Sequence, residues 1–196
     1  MYKYKLTFPL LMMVVALFAM TSCSEEDNTV EEYADWVNVN DKYYDDLTAK
    51  VLGMGDNSTW KRVRTWSKIA EAANANSDYI IMEKLGSDPT AKDEYPQYSD
   101  SVKVHYQGRL LPSPTYPKGY LFDSSYQGAF DPAIANPTKM AISGVVDGFT
   151  TALLNMRRGD YYRVYIPYQL GYGLKASSSI PAGSTLIFEI RMVDFW

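Results

Sequence analysis

The stretch Gly144–Asp160, GVVDGFTTALLNMRRGD, constrains the fold more than any other. Its apolar residues Val145, Val146, Phe149, Ala152, Leu153 and Met156 recur at the three-and-four spacing of one buried helical face. Asp147 stands at the entrance, where a carboxylate suits the positive end of the helix dipole. Arg157 and Arg158 fall in the last turn, where cations belong. Gly159 supplies a left-handed stop. The spacing therefore predicts a single short helix of about three turns. Everything after it reads as strand, as does most of the chain before it. One short apolar helix among many strands implies an α+β fold, an antiparallel sheet curled around that helix. Val145, Val146 and Phe149 would then floor a pocket at the helix mouth.

The first residues of the 196-residue chain are not part of that fold. Lys3 and Lys5 precede an apolar run, Leu6–Ala19, too short to span a bilayer stably. Met20-Thr21-Ser22-Cys23 follows, small residues before a cysteine, so residues 1–22 read as a secretory signal. Cys23 resembles the acylated cysteine of a bacterial lipobox, and the chain has no second cysteine for a disulfide. Removal of residues 1–22, which carry two lysines, takes the formal charge from -4 to -6. An acidic chain of this kind has no basic footprint for nucleic acid. Membrane attachment would come from acyl chains on Cys23.

Residues 23–32 are acidic and polar and read as a tether. Residues 33–78 form an N-terminal extension of helix plus strand. Trp36, Tyr43, Tyr44, Leu47 and Val51 recur at helical spacing between Tyr33 and Val51, and Gly53 and Gly55 end the run. This aromatic stripe is packing surface, to dock on the domain or on another copy. Trp60–Ser67 and Tyr79–Leu85 are strand-like, and Gly86–Asp100 is loop. In Ser101–Leu111, Val102, Val104 and Tyr106 share one face and Lys103, His105 and Gln107 the other. Pro112–Gly119 and Gln127–Pro137 are loops around a short strand, Tyr120–Ser124. Tyr161–Ile166 and Ser184–Phe195 alternate, the latter with Leu186, Phe188, Ile190 and Met192 inward.

The chemistry this composition omits is informative. His105 is the sole imidazole, so multi-histidine metal sites and cysteine–histidine nucleophile pairs are not available. His105 itself reads as a half-exposed strand residue, and Arg157–Arg158 as solvated. No phosphate-binding glycine loop or nucleophile elbow occurs. Catalysis by such a chain would proceed without nucleophile, metal or cofactor.

Five motifs then occur in order: VKVHYQG at Val102–Gly108, LFDSS at Leu121–Ser125, VVDGF at Val145–Phe149, IPYQLGYG at Ile166–Gly173 and IPAGSTLIFEI at Ile180–Ile190. Together they resemble the FKBP-type peptidyl-prolyl cis-trans isomerases over residues 79–196. In particular they are similar to the lipid-anchored or periplasmic forms of Gram-negative bacteria. The resemblance implies an FKBP-like domain and isomerisation of Xaa-Pro bonds in envelope or secreted proteins. It also implies proline-containing polypeptides, and macrolides of the rapamycin type, as ligands. The location implied is the outer membrane, periplasmic or surface-exposed. By the same resemblance Asp123, Tyr172, Val146 and Phe149 are catalytic. Tyr106, Phe122, Val145, Ile180 and Phe188 bind substrate. Tyr172 and the Val146 N–H would donate to substrate carbonyls, and Asp123 would orient the hydrogen bonds.

Three departures from the family pattern stand out. Phe149 replaces a tryptophan on the pocket floor, and Thr138, with Met140 two residues on, replaces an aromatic and opens one wall. The loop Pro112–Gly119 is also long enough to bring Tyr116 or Tyr120 over the pocket. These departures motivate an alternative, a catalytically weak proline-binding module or folding chaperone anchored to the outer membrane.

Overall fold

The computed structural model describes residues 30–55 and 58–196. The expected signal peptide 1–22, the lipidation site Cys23 and most of the acidic tether lie outside them. Helix α1 spans Trp36–Leu52, followed by strands β1 (Trp60–Arg64), β2 (Tyr79–Gly86), β3 (Ser101–Arg109), β4 (Leu121–Ser124) and β5 (Thr138–Ala141). Helix α2 (Asp147–Leu153) precedes β6 (Tyr161–Ile166) and β7 (Leu186–Phe195). The seven strands form one antiparallel sheet in the order β1-β2-β6-β7-β3-β4, with β5 also paired to β3. β4 and β5 divide one edge of β3, β4 along Gln107–Arg109 and β5 along Ser101–Val104. The expected fold, a curled antiparallel sheet around one short helix, is the observed one.

Period-two alternation places Ile80, Met82, Val102, Val104, Val164, Ile166 and Leu186, Phe188, Ile190 and Met192 of β7 on the inner face, and the register shift opposite Val104 brings Phe195 inward after them. There they enclose Phe149, Ala152 and Leu153 of α2. Full burial of one such aliphatic side chain contributes roughly 1.5–3 kcal/mol. Ile81 and Tyr165 point the other way and are covered by Tyr44, Leu47 and Val51 of α1. The aromatic stripe of α1 therefore docks on its own sheet. Polar contacts fix it there: Trp36 Nε1 donates to Ser184 Oγ (2.8 Å), Thr185 N to Asn40 Oδ1 (2.7 Å) and Tyr44 Oη to the Tyr79 carbonyl (2.7 Å). β1, sequence-assigned to the extension, pairs with β2 as the outer strand of the same sheet.

Helix α2 is shorter than its apolar spacing predicts. Val145 is extended (φ -118°, ψ 172°), as is the cap residue Val146 (φ -63°, ψ 150°), so both valines precede the helix. Gly148, Thr150 and Thr151 are weak helix formers. After Leu153 the backbone tightens into 3₁₀ bonds from Asn155 to Ala152 and from Met156 to Leu153. Arg157 and Arg158 thus lie beyond the helix, and they are half-buried and ion-paired where free solvated side chains were expected. Arg157 pairs with Asp160 (3.6 Å) and Asp93 (3.5 Å). Arg158 pairs with Asp194 (2.7 Å) and Glu94 (3.2 Å) and lies over the Phe195 ring. β5 is a strand the sequence pattern did not announce, and His105 is buried at 7% exposure where half-exposure was expected.

Candidate active site

At the mouth of α2 the curl of the sheet leaves a hollow of about 350 Å³. Its walls are Tyr106, Asp123, Met140, Gly144, Val145, Val146, Phe149, Tyr172 and Phe188. Strand alternation supplies Tyr106 from β3 and Phe188 from β7, both on the inner face. Phe149 stands edge-on to Phe188 with ring centroids 4.8 Å apart, and Tyr106 lies 5.9 Å from Phe149 and 6.2 Å from Phe188. Such edge-to-face contacts add about 0.5–1.5 kcal/mol each beyond burial. The three rings share one floor.

The polar groups sit on one side. Tyr106 Oη donates to Asp123 Oδ2 at 2.8 Å, and Asp123 Oδ1 accepts the Ser124 N–H at 2.8 Å. Burial, and then the bond to Asp123, raise the Tyr106 phenol above its ordinary pKa, so it remains a donor. Tyr106 is itself tied down at the backbone, its N–H donating to Ser125 Oγ (2.8 Å) and its carbonyl accepting from Ser125 N (2.9 Å). Tyr172 is 43% exposed at the rim, on a turn closed by Gly173 N to the Tyr168 carbonyl (2.8 Å). The Val146 N–H, at the start of α2, has no acceptor among the described residues.

Two residues assigned to the wall from sequence are not among the residues that line the hollow. Phe122 backs Phe188 edge-on at 5.4 Å, and Ile180 is buried in the apolar core. Gly108 makes the first contact possible, because a Cβ there would approach both the Phe122 and Phe188 rings within 2.6 Å. Met140 lines the hollow, so the wall near Thr138 is closed by a flexible thioether. Met140 and Gly144 are the wall residues that sequence reasoning missed as contacts. The two-residue spacing from Thr138 on a strand was the available signal for Met140. Tyr116 and Tyr120 pack on each other at 5.0 Å and do not line the hollow. A larger hollow of about 450 Å³ lies elsewhere, but charged Arg109, Lys118, Arg163 and Glu189 line it. Among the described residues, no cluster of three His, Cys, Asp or Glu could hold a metal, and no helix is long and apolar enough to cross a membrane.

A family model described as FKBP-type peptidyl-prolyl cis-trans isomerase matches residues 92–193. FkpA, an FKBP-type isomerase of Escherichia coli strain K12, is 34% identical over 103 residues, 53% of this chain and 34% of its own length. The FKBP-type 22 kDa isomerase of the same strain is 36% identical over 100 residues, 50% of this chain and 43% of its own. The chain thus spans about a third to a half of the length of these curated relatives. The crystal structure of Escherichia coli FkpA superposes with a TM-score of 0.57 at 24% identity, covering 98% of this chain and 75% of that one. An isomerase from Pseudomonas syringae pv. tomato gives 0.56 at 24% identity, covering 81% and 95%. These structural likenesses speak for the fold.

Proposed function

The chain belongs to the FKBP-type peptidyl-prolyl cis-trans isomerase family, and from that premise we propose that it isomerises Xaa-Pro bonds in the hollow at the mouth of α2. The single observation that carries this reading is the shared floor of Tyr106, Phe149 and Phe188 beside one phenol–carboxylate pair.

The barrier to peptide rotation, ~18–20 kcal/mol, comes from amide resonance. At the twisted transition state the charge-separated resonance form is lost, so the imide is less polar than when planar. A water-poor aromatic surface therefore stabilises the transition state more than the ground state, and only that difference accelerates rotation. Phe149, Phe188, Val145, Val146 and Tyr106 hold the prolyl ring. The Tyr172 hydroxyl and the Val146 N–H donate to substrate carbonyls. Asp123 holds the Tyr106 hydroxyl in place and neither gives nor takes a proton. Phe122 supports the Phe188 ring from behind, and Ile180 packs in the core. No step is covalent.

Lys3, Lys5, the short apolar run and Cys23 support export, acylation of Cys23 and attachment to the outer membrane. The substrates are then proline-containing envelope or secreted polypeptides, and macrolides of the rapamycin type fit the same hollow. Residues 79–196 are the isomerase domain in this reading, 33–78 its extension and 23–32 the tether.

The test is cis–trans exchange of a Xaa-Pro peptide with residues 24–196. Exchange no faster than in buffer rejects the proposal. Tyr172→Phe lowers the rate and leaves the far-UV circular dichroism unchanged; a variant as fast as wild type removes Tyr172 from the machinery. The replacement of tryptophan by Phe149, and Met140 on the wall, favour a second reading as a proline-binding module of low activity. Binding of a proline peptide without rate enhancement selects it.

A further inference from the structure

On the outer face of β3, opposite the hollow, His105 is buried under a loop. The chain has one histidine, and its Nδ1 is inaccessible to solvent and without a hydrogen-bond partner. Phe130, from the loop 125–137 that joins β4 to β5, packs edge-on against the imidazole at 5.0 Å. The same ring lies 4.5 Å from the guanidinium of Arg191, which also stacks on Tyr161 at 3.4 Å. Tyr126 closes edge-on against Phe130 at 5.1 Å. Arg191 stands directly opposite His105 in the β3–β7 register. One cation already occupies the space that a protonated imidazole would share.

The other charged groups on this side offer no compensation. Glu189 of β7 is engaged by Tyr161 Oη (2.5 Å) and Arg163 of β6 (2.7 Å). Asp131 of the loop caps its own backbone at Ala133 N (2.9 Å), and Asp194 is held by Arg158. Lys103 of β3 stands between Lys139 of β5 and Asp194 of β7 in the sheet register, with its ammonium over the Trp196 ring at 5.7 Å. Among the described residues no carboxylate hydrogen-bonds to His105. Charging a buried imidazole beside a guanidinium, with no counter-ion, is unfavourable.

We infer that His105 is an acid-sensitive latch: neutral, it holds Phe130 and the loop 125–137 against the sheet; protonated, it releases them. Burial first, and Arg191 second, lower the His105 pKa below its ordinary value. In the released loop the imidazole returns to water and to about 6.5. The closed loop is therefore fully favoured above that value, and this stability is lost as pH falls through the lower value of the closed state. Release has a route to the hollow, since Ser125 bonds the Tyr106 backbone and the loop runs on into β5 with Met140. The latch does not depend on the isomerase reading, because its test reads the loop and not the reaction.

The sole imidazole gives one Hε1 resonance to follow. Hydrogen exchange of the full chain between about pH 7.5 and 5, corrected for intrinsic rates, reports the loop amides of Ser125, Ile134 and Ala135 in parallel. We expect a His105 midpoint below about 6.5, and protection that falls by at most about tenfold per pH unit for one proton. In His105→Gln that protection is flat with pH. Arg191→Gln raises the midpoint and shrinks the total loss of protection by the same factor. Flat protection in the wild type, an unchanged fall in His105→Gln, or a midpoint at or above the ordinary value overturns the latch. If His105→Gln does not fold, protection that fails to track the shifted midpoint in Arg191→Gln overturns it as well.

Discussion

The two faces of the sheet are both covered, the outer one with a larger share of charged side chains stacked on rings. The inner face closes on α2 mostly with aliphatic and aromatic side chains; a phenol–carboxylate pair stands at the hollow, buried threonines of α2 bond to their surroundings, and one cation, Lys61, lies over the Tyr162 ring at 4.9 Å. The outer face is covered in two pieces, by α1 over Ile81 and Tyr165 and by the loop 125–137 over His105 and Arg191. There, cations lie flat on rings: Lys50 over Trp60 at 5.0 Å, Arg62 over Tyr79 at 3.4 Å and Arg191 over Tyr161. Curvature explains the difference. Side chains on the concave side converge, so short apolar groups fill the interior and a hollow remains where Phe149 meets Tyr106 and Phe188 edge to face. On the convex side they splay apart, and long stems with charged ends bridge the wider spacing while keeping contact with water.

The largest effect is expected at Phe188. Phe188→Ala removes a 6%-exposed ring from the inner face and lowers unfolding free energy by about 3–5 kcal/mol in urea titration. A loss below about 1 kcal/mol, the scale of an exposed ion pair, would erase the distinction between the faces. Gly148→Ala is the next test. A Cβ there meets Ile166 Cγ2 at 2.2 Å, so α2 must lift from β6. Overpacking costs about 1–3 kcal/mol, against about 1 kcal/mol gained in helix propensity, and the net change is destabilising. A stabilised variant would mean that α2 sits less tightly than the inner-face argument requires. Tyr44→Phe sharpens the outer side, losing only the 2.7 Å bond to the Tyr79 carbonyl, about 1 kcal/mol by the same titration. A loss as large as that of Phe188→Ala would place the outer face on the same footing as the inner.

Periodicity made several elements legible. The alternation in Tyr161–Ile166 and Ser184–Phe195 needs no partner to be read, because period two is a property of the strand itself. The stripe on α1 was visible for the same reason, although nothing in it says that Tyr44, Leu47 and Val51 cover Ile81 and Tyr165. The ends of α2 were not legible. Val145 and Val146 fit a helical period equally well when extended, and two arginines after a helix look alike whether they face its dipole or pair with Asp160 and Asp194. β5 has four residues and no buried pattern of its own, so it exists through its ladder with β3.

The same division runs through the hollow. Local sequence determined which residues alternate inward, where the chain turns, and that one short apolar helix must be enclosed by strands, because these follow from backbone geometry and from the cost of leaving apolar surface in water. Only the tertiary structure decided that Phe149 meets Tyr106 and Phe188 edge to face while Phe122 backs Phe188 and Ile180 is buried in the core, and that His105 lies under Phe130. Those outcomes depend on the angle at which residues distant in sequence converge, and that angle is set by the curl of the whole sheet.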